Sequence, residues 1–272
     1  MAIRDLLVLI DSSAHAAGLY AVSLASTFSA HLTASALVVD PSASLAPAEV
    51  PSSFLVAALE EARDATRQLL ATFAATAEQA GVSIALEPVE AVLGTTGQAL
   101  GALARNFDLT VVEQPDPDVP AERDSMIEAA LFGSGRPVLI VPYIQAPPVK
   151  LDQVLVAWDG SATAARALGD AMPFLERAQR VDLAMVTNAA QDVETARDRI
   201  TRHLERHDVR STFHPLTSAG DIASTLLSHA FESGADLMVM GGYGHSRFRE
   251  LILGGATRGI LASMTLPVLM AH

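Results

Sequence analysis

Cysteine is absent from the 272 residues, which excludes disulfides, thiolate zinc sites, iron–sulfur clusters and cysteine nucleophiles together. Lysine is nearly absent: 17 of the 18 basic residues are Arg, and the one Lys is Lys150. A Walker A loop and a pyridoxal-phosphate Schiff base each need a placed lysine, so both are excluded. Aromatic residues make up only 5%. No apolar run reaches the roughly 20 residues of a bilayer-spanning helix. The opening Met1–Leu7 has neither the basic start nor the small-residue cleavage site of a signal peptide, and a cytoplasmic location is expected. Positive charge is scarce as well. A net charge of −13 and a pI near 4.9 argue against nucleic acid or an anionic membrane as the main partner, since the average field repels both.

What is present is half hydrophobic and built mainly from Ala, Leu and Val, a composition of folded α/β chains rather than disordered ones. At about 100–200 residues per domain, two domains are expected. Strand-length apolar runs alternate with helix-length periodic ones, the signature of βαβ units and a parallel sheet. In the first half the runs at 5–10, 32–39, 82–88, 109–113 and 137–141 read as strands, with the clearest helix at 57–79. In the second half the strands are expected at 153–158, 181–187, 210–215, 236–240 and 267–270.

The two halves repeat. The segment 7–13 (LVLIDSS) aligns with 155–161 (LVAWDGS), 107–112 (FDLTVV) with 235–240 (ADLMVM), and 136–140 (RPVLI) with 266–270 (LPVLM). Three matches in the same order indicate a duplication. The junction falls near Tyr143–Leu151, where Pro147 and Pro148 interrupt any helix or inner strand, and domains are expected at 1–146 and 147–272. Charge divides unevenly: residues 1–147 hold 6 basic and 17 acidic side chains, net −11, and 148–272 hold 12 and 14, net −2. The second half is therefore the better host for a polyanion.

The most informative stretch is Met240–Arg258, which follows the fourth strand of the second half and leads into the last helix. Ligands of open parallel sheets sit at the carboxyl ends of the strands, where this segment lies. Glycines there let backbone approach a phosphate, and a following helix N-terminus presents amides to it. The Rossmann fingerprint does not fit, since Arg247 stands where its third Gly belongs and the loop follows strand four. The spacing is Gly241-x-x-Gly244, then Gly254. With the strand-ending Asp159-Gly160-Ser161, the 236–240 strand and the closing Leu266–Leu269, it makes the whole chain resemble a tandem universal stress protein.

That resemblance implies two tandem doubly wound α/β domains, each a five-stranded parallel sheet of order 3-2-1-4-5 with helices on both faces. The halves would pair as an intrachain pseudo-dimer, with further pairing into a homodimer left open. It implies an adenine-nucleotide partner, ATP or AMP, with or without Mg2+. Carried over residue by residue, Asp159 would face ribose or base, and Val186 would offer backbone to the adenine edge. Met240 and Gly241 would meet the ribose and first phosphate, and Gly244 would cradle phosphates. Gly254, Gly255 and Ala256 would form a second anion-facing turn. Gly255 departs from the family pattern, which has Ser or Thr there; losing that hydroxyl removes a hydrogen bond to a charged group, about 1.5–3 kcal/mol.

Other residues near the loop admit two readings. Arg247, Arg249 and Arg258 either neutralise phosphates or solvate a helix face. His203 and His207 are four apart but lack the zinc-protease pattern and read as a solvated helix face; His245 lies within the loop without a nameable catalytic partner. Asp221 reads as a helix N-cap. No metal site and no catalytic residue is expected, so hydrolysis would be slow at most. An ATP-pyrophosphatase or electron-transfer flavoprotein would need a Ser-Gly-Gly-type loop after strand one, which Asp159–Thr163 does not supply. The first half reads Glu113-Gln114-Pro115-Asp116 after its fourth strand, where proline removes a donor and acids repel phosphate; it is expected to be a degenerate copy. The function expected is a regulatory, nucleotide-binding role in stress response, and the alternative is a nucleotide-free scaffold that works through protein interactions.

Overall fold

The computed structural model describes residues 2–11, 15–40, 51–92, 95–114, 122–187, 193–218, 220–242 and 255–272. The first half runs β1 (Asp5–Leu9), α1 (His15–Phe28), β2 (His31–Ser35), β3 (Leu37–Asp40), α2 (Ser52–Gln79), β4 (Ile84–Leu86), β5 (Val89–Val92), α3 (Thr96–Ala104), β6 (Leu109–Glu113), α4 (Glu122–Ser134) and β7 (Val138–Val141). The second half runs β8 (Gln153–Ala157), α5 (Ala162–Leu175), β9 (Arg180–Thr187), α6 (Val193–Glu205), β10 (Ser211–Thr217), α7 (Ile222–Ser233), β11 (Leu237–Gly241), α8 (Gly255–Ser263) and β12 (Val268–Ala271). The chain divides into two compact units, one of Ile3–Val138 with Tyr143–Val149 and the other of Lys150–His272 with Leu139–Pro142.

Each half has the expected α/β sheet. The second half orders its strands β10-β9-β8-β11-β12, all parallel. The first orders them β4-β2-β1-β6-β7, with the β4, β2, β1 and β6 pairings parallel. Counted along each sheet, this is 3-2-1-4-5 twice. Four strands are buried on both faces: Leu6–Leu9, Val138–Val141, Leu237–Met240 and Val268–Ala271 are buried without a break, as parallel strands covered by helices require. The edge strand β10 is only half-buried and carries Pro215, a residue tolerated at an edge because its missing N–H breaks no inner ladder.

The repeat extends from residues to hydrogen bonds. Asp108 Oδ2 accepts from Asp5 N–H at 3.1 Å, and Asp236 Oδ2 accepts from Gln153 N–H at 3.0 Å. Ile10 N–H donates to the Ser35 carbonyl as Trp158 N–H does to Ala184, both at 2.8 Å. Thr110 N–H donates to the carbonyl of Pro137, and Met238 N–H to that of Pro267. The first two kinds of bond join the start and end of strand one to its neighbours and the third joins strand four to the start of strand five, so both copies keep the same register.

Two expected strands differ from the observed ones. The stretch 32–39 divides at Ala36 into β2 and β3, and 82–88 gives way to β4 and β5 on either side of Pro88. Pairing continues across the gap at one offset, with Leu32 opposite Ile84 and Leu37 opposite Val89. Glu87 N–H still reaches the Ala34 carbonyl and Val89 N–H that of Ala36; Pro88 has no N–H to give, which interrupts the ladder without shifting it. The helix expected at 57–79 starts earlier, at Ser52, just after Pro51.

Helices α5 and α7 lie on opposite faces of the second sheet. Gly241, on one face, touches α5, and the residues in register with Leu155 and Asp182 point to the other. Helix α7 is bounded by local chemistry at both ends. Asp221 accepts from Ala223 and Ser224 N–H at 3.3 and 2.9 Å, which holds its carboxyl below the usual Asp range. Gly234 closes the helix at φ +70°, the left-handed conformation glycine adopts without strain. Against α7 packs α8, whose Gly259 is so close that an added Cβ would lie 2.6 Å from Ala223 Cβ. Gly259→Ala is expected to lower stability by about 1–3 kcal/mol through overpacking. Urea unfolding checks this, and Ala223→Gly in the same chain should restore part of the loss; equal midpoints for wild type and Gly259→Ala would refute the contact.

Candidate functional site

The carboxyl ends of β8, β9 and β11 and the first turn of α8 collect the residues singled out in the sequence. Asp159 lies two residues beyond β8 and is exposed; its Oδ1 accepts from Ser161 N–H at 2.9 Å, an Asx turn that fixes the loop. Val186 is half-buried near the end of β9, opposite Leu216. Met240 is buried in β11, in register with Ala157 of β8 and Met270 of β12. Gly241 ends β11. Gly255 and Ala256 open α8, the first exposed and the second half-buried. Gly244 and Gly254 lie outside the described residues, as do His245, Arg247 and Arg249. Arg258 is exposed on α8.

Gly241 is the tightest point of this region. A Cβ there would stand 2.6 Å from Ala164 N, 2.7 Å from Thr163 Oγ1 and 2.8 Å from the Thr163 carbonyl carbon. No larger residue fits without parting strand and helix, so the end of β11 rests directly on the start of α5. That start is organised by hydroxyls that the sequence reading did not assign to a site. Ser161 is the N-cap and accepts from Ala164 N–H at 3.1 Å, and its Oγ lies 3.0 Å from Thr163 Oγ1. The exit from β11 is anchored too: Gly242 N–H donates to the Ala271 carbonyl at 2.8 Å, and His272 Nδ1 lies 3.1 Å from the Gly242 carbonyl. A helix N-terminus carries positive potential, and here it lies beside glycine.

The first half solves the same position differently. Where β11 ends in Gly241, β6 ends in Glu113, which is buried, and its Oε2 accepts from Ala17 N–H in the first turn of α1 at 3.0 Å. An internal carboxylate thus lies where a bound anion would meet that helix end. Gly133, next to Ser134, sits at the end of α4, where an added Cβ would lie 3.1 Å from Gly101 Cα; it serves a close helix crossing.

Some side chains come together without a signal in the sequence. His203 and His207 do meet, ring centroids 4.9 Å apart, but His207 lies past the end of α6. A second histidine pair lies in the same domain. His214 on β10 and His229 on α7 have ring centroids 4.9 Å apart, and His214 Nε2 is 3.2 Å from Oδ1 of the buried Asp182 on β9. Burial pushes the His229 imidazole below its usual pKa, helped by His214 and opposed by Asp182 and Glu232. Spacings of 32 and 15 residues across three elements match no local motif, so only the β9–β10 register and the packing of α7 reveal the group.

Comparison with known proteins finds a family match in the second half. Residues 150–272 match the model of the universal stress protein family. No curated protein sequence matches the chain. Among solved structures, a universal stress protein from Archaeoglobus fulgidus DSM 4304 superposes with a TM-score of 0.74 at 16% identity, over 98% of this chain and 97% of its own. A protein from Pseudomonas aeruginosa UCBPP-PA14 with the same family designation gives 0.62 at 18%, over 99% and 93%. A universal stress protein in complex with cAMP gives 0.38 at 22%, over 44% and 96%. At these identities the two full-length superpositions speak to the fold.

The contrast between the halves makes Glu113 a stability residue. Glu113→Ala is expected to cost about 1.5–3 kcal/mol, the range for a hydrogen bond to a charged group, with Glu113→Gln costing less. Urea unfolding of the full chain decides it; a midpoint unmoved by Glu113→Ala would contradict the capping role.

Proposed function

We propose that this chain, whose residues 150–272 belong to the universal stress protein family, is a tandem member that binds one adenine nucleotide, ATP or AMP, in its second domain. Its domains divide at 146/147, and binding serves a regulatory role in stress response. Asp159 accepts hydrogen bonds from ribose or base, and the backbone of Val186 meets the adenine edge. Met240, Gly241 and Gly244 follow the ribose and phosphates, and Gly254, Gly255 and Ala256 turn amides toward the phosphate end. Mg2+ would share the phosphate charge if it enters with the nucleotide.

One observation supports this reading above the rest. Six of the eight residues expected to hold the ligand lie at the carboxyl ends of neighbouring parallel strands or in the first turn of α8, and Gly241 leaves no side chain at the start of α5. Crevices at this end of a parallel sheet are where ligands bind in such folds, and exposed helix N-termini favour anions. The net charge of −2 in residues 148–272, against −11 before them, points to the same domain. The role of the first domain is then pairing or stabilisation.

Gly255 sets the expected strength. An added Cβ there meets nothing within 4 Å among the described residues, and Gly255→Ser would supply the hydroxyl that the family pattern has. Thermal unfolding with and without ATP, AMP and cyclic AMP tests the proposal, because a ligand at 100 times its Kd adds about 2.7 kcal/mol. A nucleotide-dependent rise in Tm is expected for the wild type, lost in Gly244→Asp with its ligand-free Tm kept, and Gly255→Ser should bind at least about tenfold more tightly. No shift with any of the three nucleotides would favour the scaffold reading instead.

A further inference from the structure

We propose that Asp182, His214 and His229 form a site for a divalent transition-metal ion, Zn2+ by ligand type, separate from the nucleotide region. One ligand atom from each residue lies within 4.8 Å of the other two. The closest pair, His214 Nε2 and Asp182 Oδ1, are 3.2 Å apart, the spacing that a tetrahedral ion with bonds of about 2.0–2.1 Å imposes on two of its ligands. The remaining separations close by rotation of the imidazole side chains. Two imidazoles and one carboxylate are a borderline-hard set suited to Zn2+, and three protein ligands leave a position for water. His214 is more open than Asp182, with its side chain 33% exposed against 12%, which provides a way in for the ion.

Three further observations support the assignment. First, Nε2 of His214 and of His229 are both buried without a hydrogen-bond partner; the short approach of His214 to Asp182 has the distance but not the angle of a hydrogen bond. Buried polar nitrogens are ordinarily satisfied, and a metal ion satisfies both at once. Second, the buried Gln153 of β8 donates through Nε2 to Asp182 Oδ2, which leaves Oδ1 turned to His214. A ligand carboxylate held by an outer hydrogen bond is a regular feature of metal sites. Third, the elements are tied together independently of any ion: β8, β9 and β10 are in continuous register, with Leu155 opposite Asp182 and Asp182 opposite Thr212, and α7 packs on β8 and β9. The site is therefore carried on rigid parts, and only the imidazoles need to turn.

The site is distinct from the nucleotide region. Asp182 lies four residues before Val186 on the same strand, about 13 Å away at the rise of a parallel strand. It also belongs to the second half alone. At the matching register positions the first half has Thr33 in place of Asp182 and Glu87 in place of His214, so the duplication was not retained as a pair of sites. Bound metal would pin edge strand β10 to α7 and stabilise the domain that carries the glycine loop.

The test uses the full chain, freed of metal by chelator and titrated calorimetrically with Zn2+, then with Co2+ as a spectroscopic probe. The result expected is one Zn2+ per chain, a higher Tm in the loaded protein, and the intense visible absorption of four-coordinate Co2+. Asp182→Asn, His214→Ala and His229→Ala should each weaken binding by at least about tenfold, Gln153→Leu by about 10–100-fold, and the double variant His203→Ala/His207→Ala not at all. His229→Gln serves where the alanine variant fails to fold. Absence of binding, Co2+ spectra of the weak six-coordinate type, or binding lost with His203 and His207 in place of the named residues would overturn the proposal. Nucleotide titration of the metal-free protein proceeds independently, so failure of one site leaves the other still tested.

Discussion

Among the described residues, the two domains part company at the contact between the last residue of the fourth strand and the first turn of the first helix. Amides in that turn have no partner within the helix, and they lie at the end of the sheet where the fold places ligands. In the first half Glu113 supplies the partner internally, through Ala17 N–H. In the second half the residue is Gly241, too close to Thr163 and Ala164 to be anything larger, and the hydroxyl of Ser161 caps the turn from its own loop. One substitution in the repeat thus separates an end capped by a carboxylate of the fourth strand from one capped by its own loop. The charge balance and the proline-rich sequence after Glu113 act in the same direction.

The sheet itself is held by a smaller set of repeated bonds. Asp108 and Asp236 each join the start of the fourth strand to the start of the first, and strand-one extensions at Ile10 and Trp158 pair with the second strand at the same distance. Continuous apolar strands with helices on both faces provide the burial. A duplicated scaffold of this kind lets one copy keep a ligand-binding end while the other is reshaped, because register and core are maintained by residues away from the strand ends. The family match over residues 150–272 and the fold likeness over nearly the whole chain fit that history: the second copy keeps sequence signals as well as fold, the first chiefly fold.

Much of this was legible in the sequence because it rests on local signals. Alternating apolar runs marked ten strands, the paired segments marked the duplication, and Asp221 marked a helix start. Less legible were features set by tertiary distance. Pro88 gives no sign in sequence that a ladder will pause and resume in register. The fit of Gly241 and Gly259 depends on how close a neighbouring backbone or methyl group comes. The grouping of Asp182, His214 and His229 arises from strand register and from the helix laid over it. For the candidate nucleotide site, residue types and spacing pointed to the strand ends where six of the eight residues lie; Ser161, Thr163 and His272 were missed because they act through capping and a carbonyl contact that no motif encodes.

The central claim is an asymmetry, one proposed nucleotide site in a duplicated chain, and it is tested most directly by counting ligands. Equilibrium binding of radiolabelled ATP or AMP to a known concentration of folded chain, followed to saturation, should give one nucleotide per chain. A stoichiometry of two would show that Glu113 does not close the first domain, and none at saturating ligand would show that the glycine end of the second domain is not a nucleotide site.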